Sequence, residues 1–110
     1  MWTERSKIIS DFNEAILYID SQYGFHDFRL GNFKTSDSKI VFMIEEDAKE
    51  KAHIWDFSFF NTSELKMDID LVLHSYIAEI EIIDRFVKIG LNNGYIFFNA
   101  EEISLGIPKF

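Results

Sequence analysis

The feature that most constrains the fold is a run of ten residues, Leu65–His74, in which apolar and polar side chains alternate. Leucine, methionine and isoleucine occupy every odd position up to 73, and the even positions are polar except Val72. A period of two is typical of a β-strand with one face in a core and one in water. A helix is the competing interpretation, but it would leave Met67 and Leu71 outside its apolar stripe. We therefore predict a strand.

Length and composition predict one compact domain over residues 1–110. The chain is 47% apolar and contains 12 Phe, which is too hydrophobic for a disordered segment. The absence of cysteine excludes disulfides, thiolate metal sites and a cysteine nucleophile, and it favours the cytosol. The first residues show no signal-peptide pattern, and the apolar runs are far shorter than the roughly 20 residues of a membrane helix. We expect a soluble, cytoplasmic protein.

The net charge of −8 and the pI near 4.7 restrict the partners of the chain. Nucleic-acid binding is disfavoured, because affinity for phosphates comes largely from Lys and Arg. An acidic surface favours encounter with a basic protein partner. An acidic surface is also common among bacterial cytosolic proteins. On this alternative interpretation the charge only keeps the chain in solution.

The N-terminal part predicts one amphipathic helix over residues 5–23. Its apolar side chains recur at spacings of three and four, and Gly24 suits the left-handed position just after a helix. These apolar residues are Ile9, Phe12, Ile16, Ile19 and Tyr23.

From residue 25 to about 105 the apolar period changes to two, which predicts a β-rich region. The Asn92-Asn93-Gly94 step between two apolar runs indicates a hairpin with a type I′ turn. Short connections require antiparallel pairing. The fold class is α+β: an N-terminal helix packed on a curved antiparallel sheet of about six to seven strands, either a sandwich or a partial barrel. The predicted strands cover residues 26–33, 39–45, 53–61, 65–74, 78–82, 86–91 and 95–100, and residues 101–105 continue or cap the last one.

His26 and Asp27 are a candidate general base with its orienting carboxylate, or a candidate pair of metal ligands. A metal site would need a third ligand, from His53 or His74, and no spacing in the chain predicts that convergence. A structural role at the junction of helix and strand is the favoured interpretation, so no metal and no cofactor is predicted.

The strongest candidate binding surface is acidic. Asp68 and Asp70 share one strand face, as do Glu79 and Glu81, because each pair is spaced by two residues. If the two segments pair across Ser75, all four carboxylates gather on one wet face that suits a cationic protein. A solvated sheet face without a partner is the competing interpretation.

The aromatic segment Trp55–Phe60 is interpreted as core, with a ligand cavity as the alternative. The chain has none of the common nucleophile, phosphate-loop or zinc-protease motifs. We therefore predict a protein that is not an enzyme and has no catalytic residues.

Three segments together resemble the small bacterial immunity proteins that are encoded beside polymorphic toxins. They are Phe25–Leu30, which opens the β region with a His-Asp step, the aromatic strand Trp55–Phe59, and the hairpin segment Asn93–Phe98. The resemblance implies a protein that neutralises a toxin by binding it and that needs no catalytic residues.

Three hypotheses of function follow from these observations. The first is a binding module that covers a basic partner protein, with toxin immunity as its specific form. The second is a small-ligand-binding domain or minor enzyme with a pocket between helix and sheet. The third is a structural homodimer, because many strands imply exposed sheet edges that invite pairing.

Overall fold

The computed structural model of the protein describes residues 5–46, 53–69 and 75–110. Within these ranges the chain forms one α-helix, α1 (Phe12–Ser21), and nine β-strands. The strands are β1 (Arg5–Ile9), β2 (Arg29–Ser36), β3 (Lys39–Glu45), β4 (Ile54–Phe60), β5 (Ser63–Ile69), β6 (Ile77–Ile83), β7 (Phe86–Leu91), β8 (Gly94–Asn99) and β9 (Glu102–Pro108).

The strands form two antiparallel sheets. The five-stranded sheet has the order β1-β9-β4-β3-β2, and the four-stranded sheet has the order β5-β8-β7-β6. Their inner faces meet in one core, where the rings of Phe59 and Phe98 are in edge contact at a centroid distance of 4.9 Å. The α+β class and the antiparallel pairing are therefore confirmed. Of the two predicted arrangements, a sandwich or a partial barrel, the two separate sheets correspond to the sandwich.

The helix is shorter than predicted and does not begin the fold. Residues 5–9 form strand β1, which pairs with β9, so the prediction of a helix over 5–23 is wrong in its first part. The Asp11 carboxylate caps the helix by accepting a hydrogen bond from the backbone N–H of Glu14 at 3.0 Å. The β-branched Ile8 and Ile9 precede this cap and suit a strand. The spacing of Ile9 from Phe12 matched the helix pattern only by coincidence.

Most of the predicted strands are present. The bounds of β3 and β7 agree with the predicted ranges, whereas β2 begins three residues later than predicted, at Arg29. The last segment is neither an extension nor a cap of β8 but a separate strand, β9, which pairs with β1 and β4. The unpredicted β1 and the separate β9 raise the strand number of the described residues above the predicted six to seven.

Strand β5 confirms the predicted alternation in its described part, and the rest of the run, residues 70–74, lies outside the described residues. Met67 pairs with the buried Ile96, so the odd positions do face the core side. However, Leu65 and Met67 keep 39% and 43% of their surface exposed. The prediction that this face is buried is wrong here, because β5 is an edge strand and is only half covered.

The hairpin between β7 and β8 is confirmed, but its predicted turn type is wrong. Asn92 and Asn93 form the turn, and neither is among the residues with positive φ, which a type I′ turn requires at both positions. Positive φ falls instead on Gly94, at 151°. Asn92 is held from outside the hairpin, since its backbone N–H donates to the carbonyl of Tyr76 at 3.0 Å.

The aromatic strand β4 supplies the centre of the core, as predicted. Trp55, Phe57 and Phe59 are all at most 1% exposed. The indole Nε1–H of Trp55 donates a hydrogen bond of 2.8 Å to the hydroxyl of Tyr18, which ties α1 to the five-stranded sheet. Among the described residues, no helix has the length and apolar character needed to cross a membrane.

Candidate functional site

Three of the four carboxylates predicted as one binding face lie within the described residues, on two strands that are not neighbours. Asp68 is on β5, whereas Glu79 and Glu81 are on β6, and β8 and β7 lie between these two strands. The predicted pairing across Ser75 is therefore wrong for the described residues. Because neighbouring strands are about 4.8 Å apart, Asp68 is roughly 14 Å from the carboxylates of β6. Asp70 lies outside the described residues.

Glu79 and Glu81 instead line a groove on the edge of β6 that faces away from β7, which we call the β6 groove. It has a volume of about 450 Å³ and is bounded by the end of α1, the segment that follows α1, and β6 itself. Its lining residues are Asp20, Tyr23, Gly24, His26, Ala78, Glu79, Ile80 and Glu81.

One wall of the β6 groove is a left-handed turn, Tyr23–Phe25, whose three residues have φ values of 56°, 66° and 57°. This conformation costs about 1–2 kcal/mol for each residue that is not glycine. Gly24 lies so close to β6 that an added Cβ would be 3.4 Å from the backbone nitrogen of Ile80. Phe25 is fully buried, and its ring is in edge contact with Trp55 at 5.1 Å. A core side chain therefore holds the strained turn against the strand.

Tyr23 projects away from the same turn and is 88% exposed. The sequence predicted it as part of the apolar face of the helix, and this prediction is wrong, because α1 ends at Ser21. The left-handed conformation of residue 23 turns its side chain into solvent. An exposed aromatic side chain on a strained turn is a feature that often marks a binding site.

His26 and Asp27 lie at the end of the β6 groove, before β2 begins. The ring Nδ1 of His26 is 2.9 Å from the backbone carbonyl oxygen of Ala78, to which it donates when it carries the proton. The backbone N–H of Asp27 donates to the carbonyl of Ile77 at 2.8 Å. Both residues thus bind the edge of β6, which is the structural role favoured from the sequence.

The other two histidines do not join this pair in the described residues. His53 lies against the ring of Phe110, with its Nδ1 2.5 Å from the carboxylate of Glu46, and His74 is outside the described residues. Within the described ranges, no three His, Asp or Glu side chains are placed to hold a metal ion.

The β6 groove is strongly acidic. Asp20, Glu79 and Glu81 contribute three carboxylates, and no Lys or Arg is among the eight lining residues. Lys88 borders the groove on the outer face of the sheet, where it is the register partner of Glu81. Neighbouring like charges repel each other, so a guanidinium or ammonium group in the groove would be stabilised.

Asp20 and Tyr23 were not identified as site residues from the sequence. Tyr23 was interpreted as part of the apolar face of the predicted helix. The only local signal is the Tyr23-Gly24 step at the end of a helical pattern, since glycine there marks a left-handed turn. Nothing in the spacing shows that this turn lies against β6, more than 50 positions later in the chain.

Two further depressions of the described residues are smaller. One, of about 270 Å³, lies on the outer face of the five-stranded sheet and includes Lys34, Asp56 and Ser58. The other, of about 390 Å³, lies at the start of α1 and includes Glu101 and Glu102. Both mix charges of opposite sign in their linings, so neither has the single charge sign of the β6 groove.

The outer face of the four-stranded sheet carries an aromatic cluster that the sequence analysis did not assign. The rings of Tyr95 and Phe97 stack at a centroid distance of 4.5 Å, and Phe86 lies 6.0 Å from Phe97. The register partners of Phe97 on the two neighbouring strands are Lys66 and Lys88. This cluster separates the β6 groove from the edge strand β5.

The chain was compared with models of protein families, with curated proteins and with solved structures. No family model, curated protein or solved structure matches it, and no enzyme family or enzyme homologue is found.

Proposed function

We propose that the protein is a non-enzymatic binding module that holds a basic partner protein in the β6 groove. The observation that carries this proposal is the combination of three carboxylates, no lining Lys or Arg, and an exposed tyrosine beside them. A Lys or Arg side chain of a partner fits this chemistry, because the carboxylates bind its charge and the Tyr23 ring offers a face for cation–π contact.

The specific form of the proposal is toxin immunity, in which the bound partner is a toxin with a basic active surface. The resemblance of Phe25–Leu30 to immunity proteins supports this form, and this segment lies at the groove, since it contains the last residue of the left-handed turn and His26. A net charge of −8 also supports it, because long-range attraction accelerates the capture of a basic protein.

A neutralising double substitution tests the groove directly. The probe is an acetylated hexa-arginine peptide, titrated into the ¹⁵N-labelled protein. Glu79→Gln with Glu81→Gln is expected to weaken binding about tenfold, since two charged contacts are lost. The matched control, Glu101→Gln with Glu102→Gln, removes the same charge from another exposed surface and should change the affinity less than about twofold. Equal losses in both variants would show that the peptide responds only to net charge.

The immunity form is tested in cells. The protein is co-expressed with the product of the neighbouring gene, once that product is shown to kill cells on its own, and survival is scored for the native chain and for both double variants. Survival with the native chain and with the Glu101/Glu102 control, but not with the Glu79/Glu81 variant, is the expected result. Death with the native chain contradicts immunity, whereas survival with all three contradicts the groove as the contact surface.

A further inference from the structure

Strand β5 lies at the end of the four-stranded sheet, with β8 on one side of it. No other strand of the described ranges 5–46, 53–69 and 75–110 pairs with the side of β5 that faces away from β8. The residues from Ser63 to Asp68 are all exposed. A depression of about 260 Å³ lies between Leu65 and the turn that joins β2 to β3, so there is open space beside the inner side of this edge as well.

The hydrogen-bonding direction along β5 follows from the neighbouring hairpin. Leu91 and Gly94 are partners across a two-residue loop, so they exchange both of their backbone hydrogen bonds. The backbone N–H and C=O groups of successive residues in a strand point to opposite sides. Those of Gly94 point to β7, so those of Tyr95 and Phe97 point to β5, where their register partners are Asp68 and Lys66. The N–H and C=O groups of the odd residues of β5 consequently point to the uncovered edge. These odd residues are Leu65, Met67 and Ile69.

We propose that two copies of this chain dimerise by antiparallel pairing of their β5 edges, with Met67 opposite the partner's Met67. In this register Lys66 lies opposite the partner's Asp68, and the reciprocal pair forms on the other side of the two-fold axis. Leu65 lies opposite the partner's Ile69. Both four-stranded sheets then join into one continuous sheet, and the half-exposed apolar side chains of β5 cover each other.

The charges of β5 select this register over its neighbours. A two-fold axis at Lys66 would place two lysines opposite each other, and an axis at Asp68 would place two aspartates opposite each other, which destabilises cross-strand pairing. An axis at Leu65 would run through the irregular stretch between Ser63 and Lys66, where Glu64 has a φ of 55°. The axis at Met67 lies in the regular part of the strand and forms two complementary pairs.

The contact is small, so the dimer is expected to be weak. Stable interfaces bury about 1,200 Å² or more, and a pairing of five residues on each chain buries less. We expect dissociation constants on the order of 100 µM, measured by sedimentation velocity from about 10 µM to about 1 mM. The β5 edge lies across the sheet from the β6 groove, so its variants leave the proposed partner site unchanged.

Charge reversal at the two paired positions tests the register. Lys66→Asp alone and Asp68→Lys alone each place like charges opposite each other, and each should weaken self-association about tenfold or more. Mixing the two variants restores complementary charges at both pairs, so the mixture should associate about as well as the native chain. The double variant, Lys66→Asp with Asp68→Lys, should recover self-association for the same reason. Thermal unfolding of each variant verifies that these exposed substitutions leave the fold intact.

Hydrogen exchange supplies an independent readout. The amides of Leu65, Met67 and Ile69 should exchange rapidly in dilute protein and become protected at high concentration, while those of Lys66 and Asp68 stay protected throughout by their bonds to β8. A chain that is monomeric up to about 1 mM would overturn the proposal. It would also be overturned by a dimer that is indifferent to charge reversal, or by protection of the odd amides in the monomer.

Discussion

The two edges of the four-stranded sheet are protected in opposite ways. At β6 the chain itself covers the edge: the backbone N–H of Ile77 donates to the carbonyl of Phe28 at 2.7 Å, and the His26 ring lies on the carbonyl of Ala78. At β5 no other described strand covers the edge, and protection comes from the charged side chains of Lys66 and Asp68. Charges on an edge strand discourage unspecific pairing.

The difference shows how one sheet offers two kinds of surface. Covering β6 requires a turn with left-handed residues, and the space between this turn and the strand becomes the acidic β6 groove. The groove suits a side chain from a partner and not an added strand. The outer edge of β5 keeps backbone groups that pair with no other described strand, so it suits another strand. The two proposed modes of binding therefore require different partners.

The largest expected effect is the loss of the anchor that holds the covered edge. Phe25→Ala removes a fully buried ring that contacts Trp55, and it should lower the free energy of unfolding by about 3–5 kcal/mol. The left-handed turn should also detach from β6. Chemical denaturation measures the first effect, and faster hydrogen exchange at Ile77 measures the second.

Met67→Ala on the open edge is the matched comparison, because it also truncates a large apolar side chain next to a sheet edge. With 43% of its surface exposed, Met67 should contribute less than about 1 kcal/mol to stability in the monomer. Similar losses in the two variants would contradict the view that one edge is anchored in the core and the other is not.

The second prediction concerns how β5 is attached. A Cβ at Gly94 would lie 1.8 Å from the backbone oxygen of Asp68, so Gly94→Ala forces β5 away from β8 and should cost about 2–3 kcal/mol. Hydrogen exchange should accelerate at Lys66 and Asp68 while β6 is unaffected. Gly31→Ala is the control, because no atom lies within 4 Å of its added Cβ. An unchanged exchange rate along β5 would refute this close packing.

The sequence was sufficient for features that depend on local pattern. The alternation in the segment 53–61 predicted both the strand β4 and its buried aromatic face, and the Asn-rich step 92–94 predicted the hairpin of β7 and β8. In both cases neighbouring residues in the chain determine the outcome, because side-chain period and turn chemistry act over a few positions.

The features that failed depend on partners that are distant in the chain. Ile9 fits a helical spacing, but β9, almost one hundred residues later, pairs with it as a strand. Likewise, the two acidic pairs were expected to meet through their proximity in sequence, but strand order places β8 and β7 between Asp68 and the pair Glu79 and Glu81. The β6 groove joins Asp20 to Glu79 for the same reason, so strand order, and not residue spacing, determines the candidate site.

The third prediction tests the link between α1 and the core beside the covered edge. Tyr18→Phe removes the acceptor of the Trp55 indole N–H, and Trp55 is only 1% exposed. An unpaired buried donor should cost about 1–2 kcal/mol at neutral pH, measured by denaturant titration. Tyr23→Phe, at an exposed position, is the control and should be neutral within about 0.5 kcal/mol.

The same hydroxyl gives this prediction a pH signature. Burial raises the pKa of Tyr18 above its ordinary value of 10.0, and the hydrogen bond from Trp55 partly opposes that rise. The unfolded chain therefore loses this proton first, so the stabilisation from Tyr18 is complete below pH 10 and is lost as the pH rises through the raised pKa. The stability difference between native chain and Tyr18→Phe should accordingly shrink above pH 10. A constant difference would contradict a buried, protonated hydroxyl.

The smallest expected effect is an increase in stability, and it tests why the turn that covers β6 keeps a strained backbone at Tyr23. Tyr23→Gly replaces an exposed residue at a φ of 56°, so it should raise the free energy of unfolding by about 0.5–1 kcal/mol. Tyr23→Phe keeps the strain and should leave stability unchanged. If the ring serves the β6 groove, the stabilised glycine variant should bind the hexa-arginine peptide several-fold more weakly, whereas the phenylalanine variant should retain most of the affinity. Equal binding by all three chains would mean that the strain at Tyr23 serves only the path of the backbone along β6.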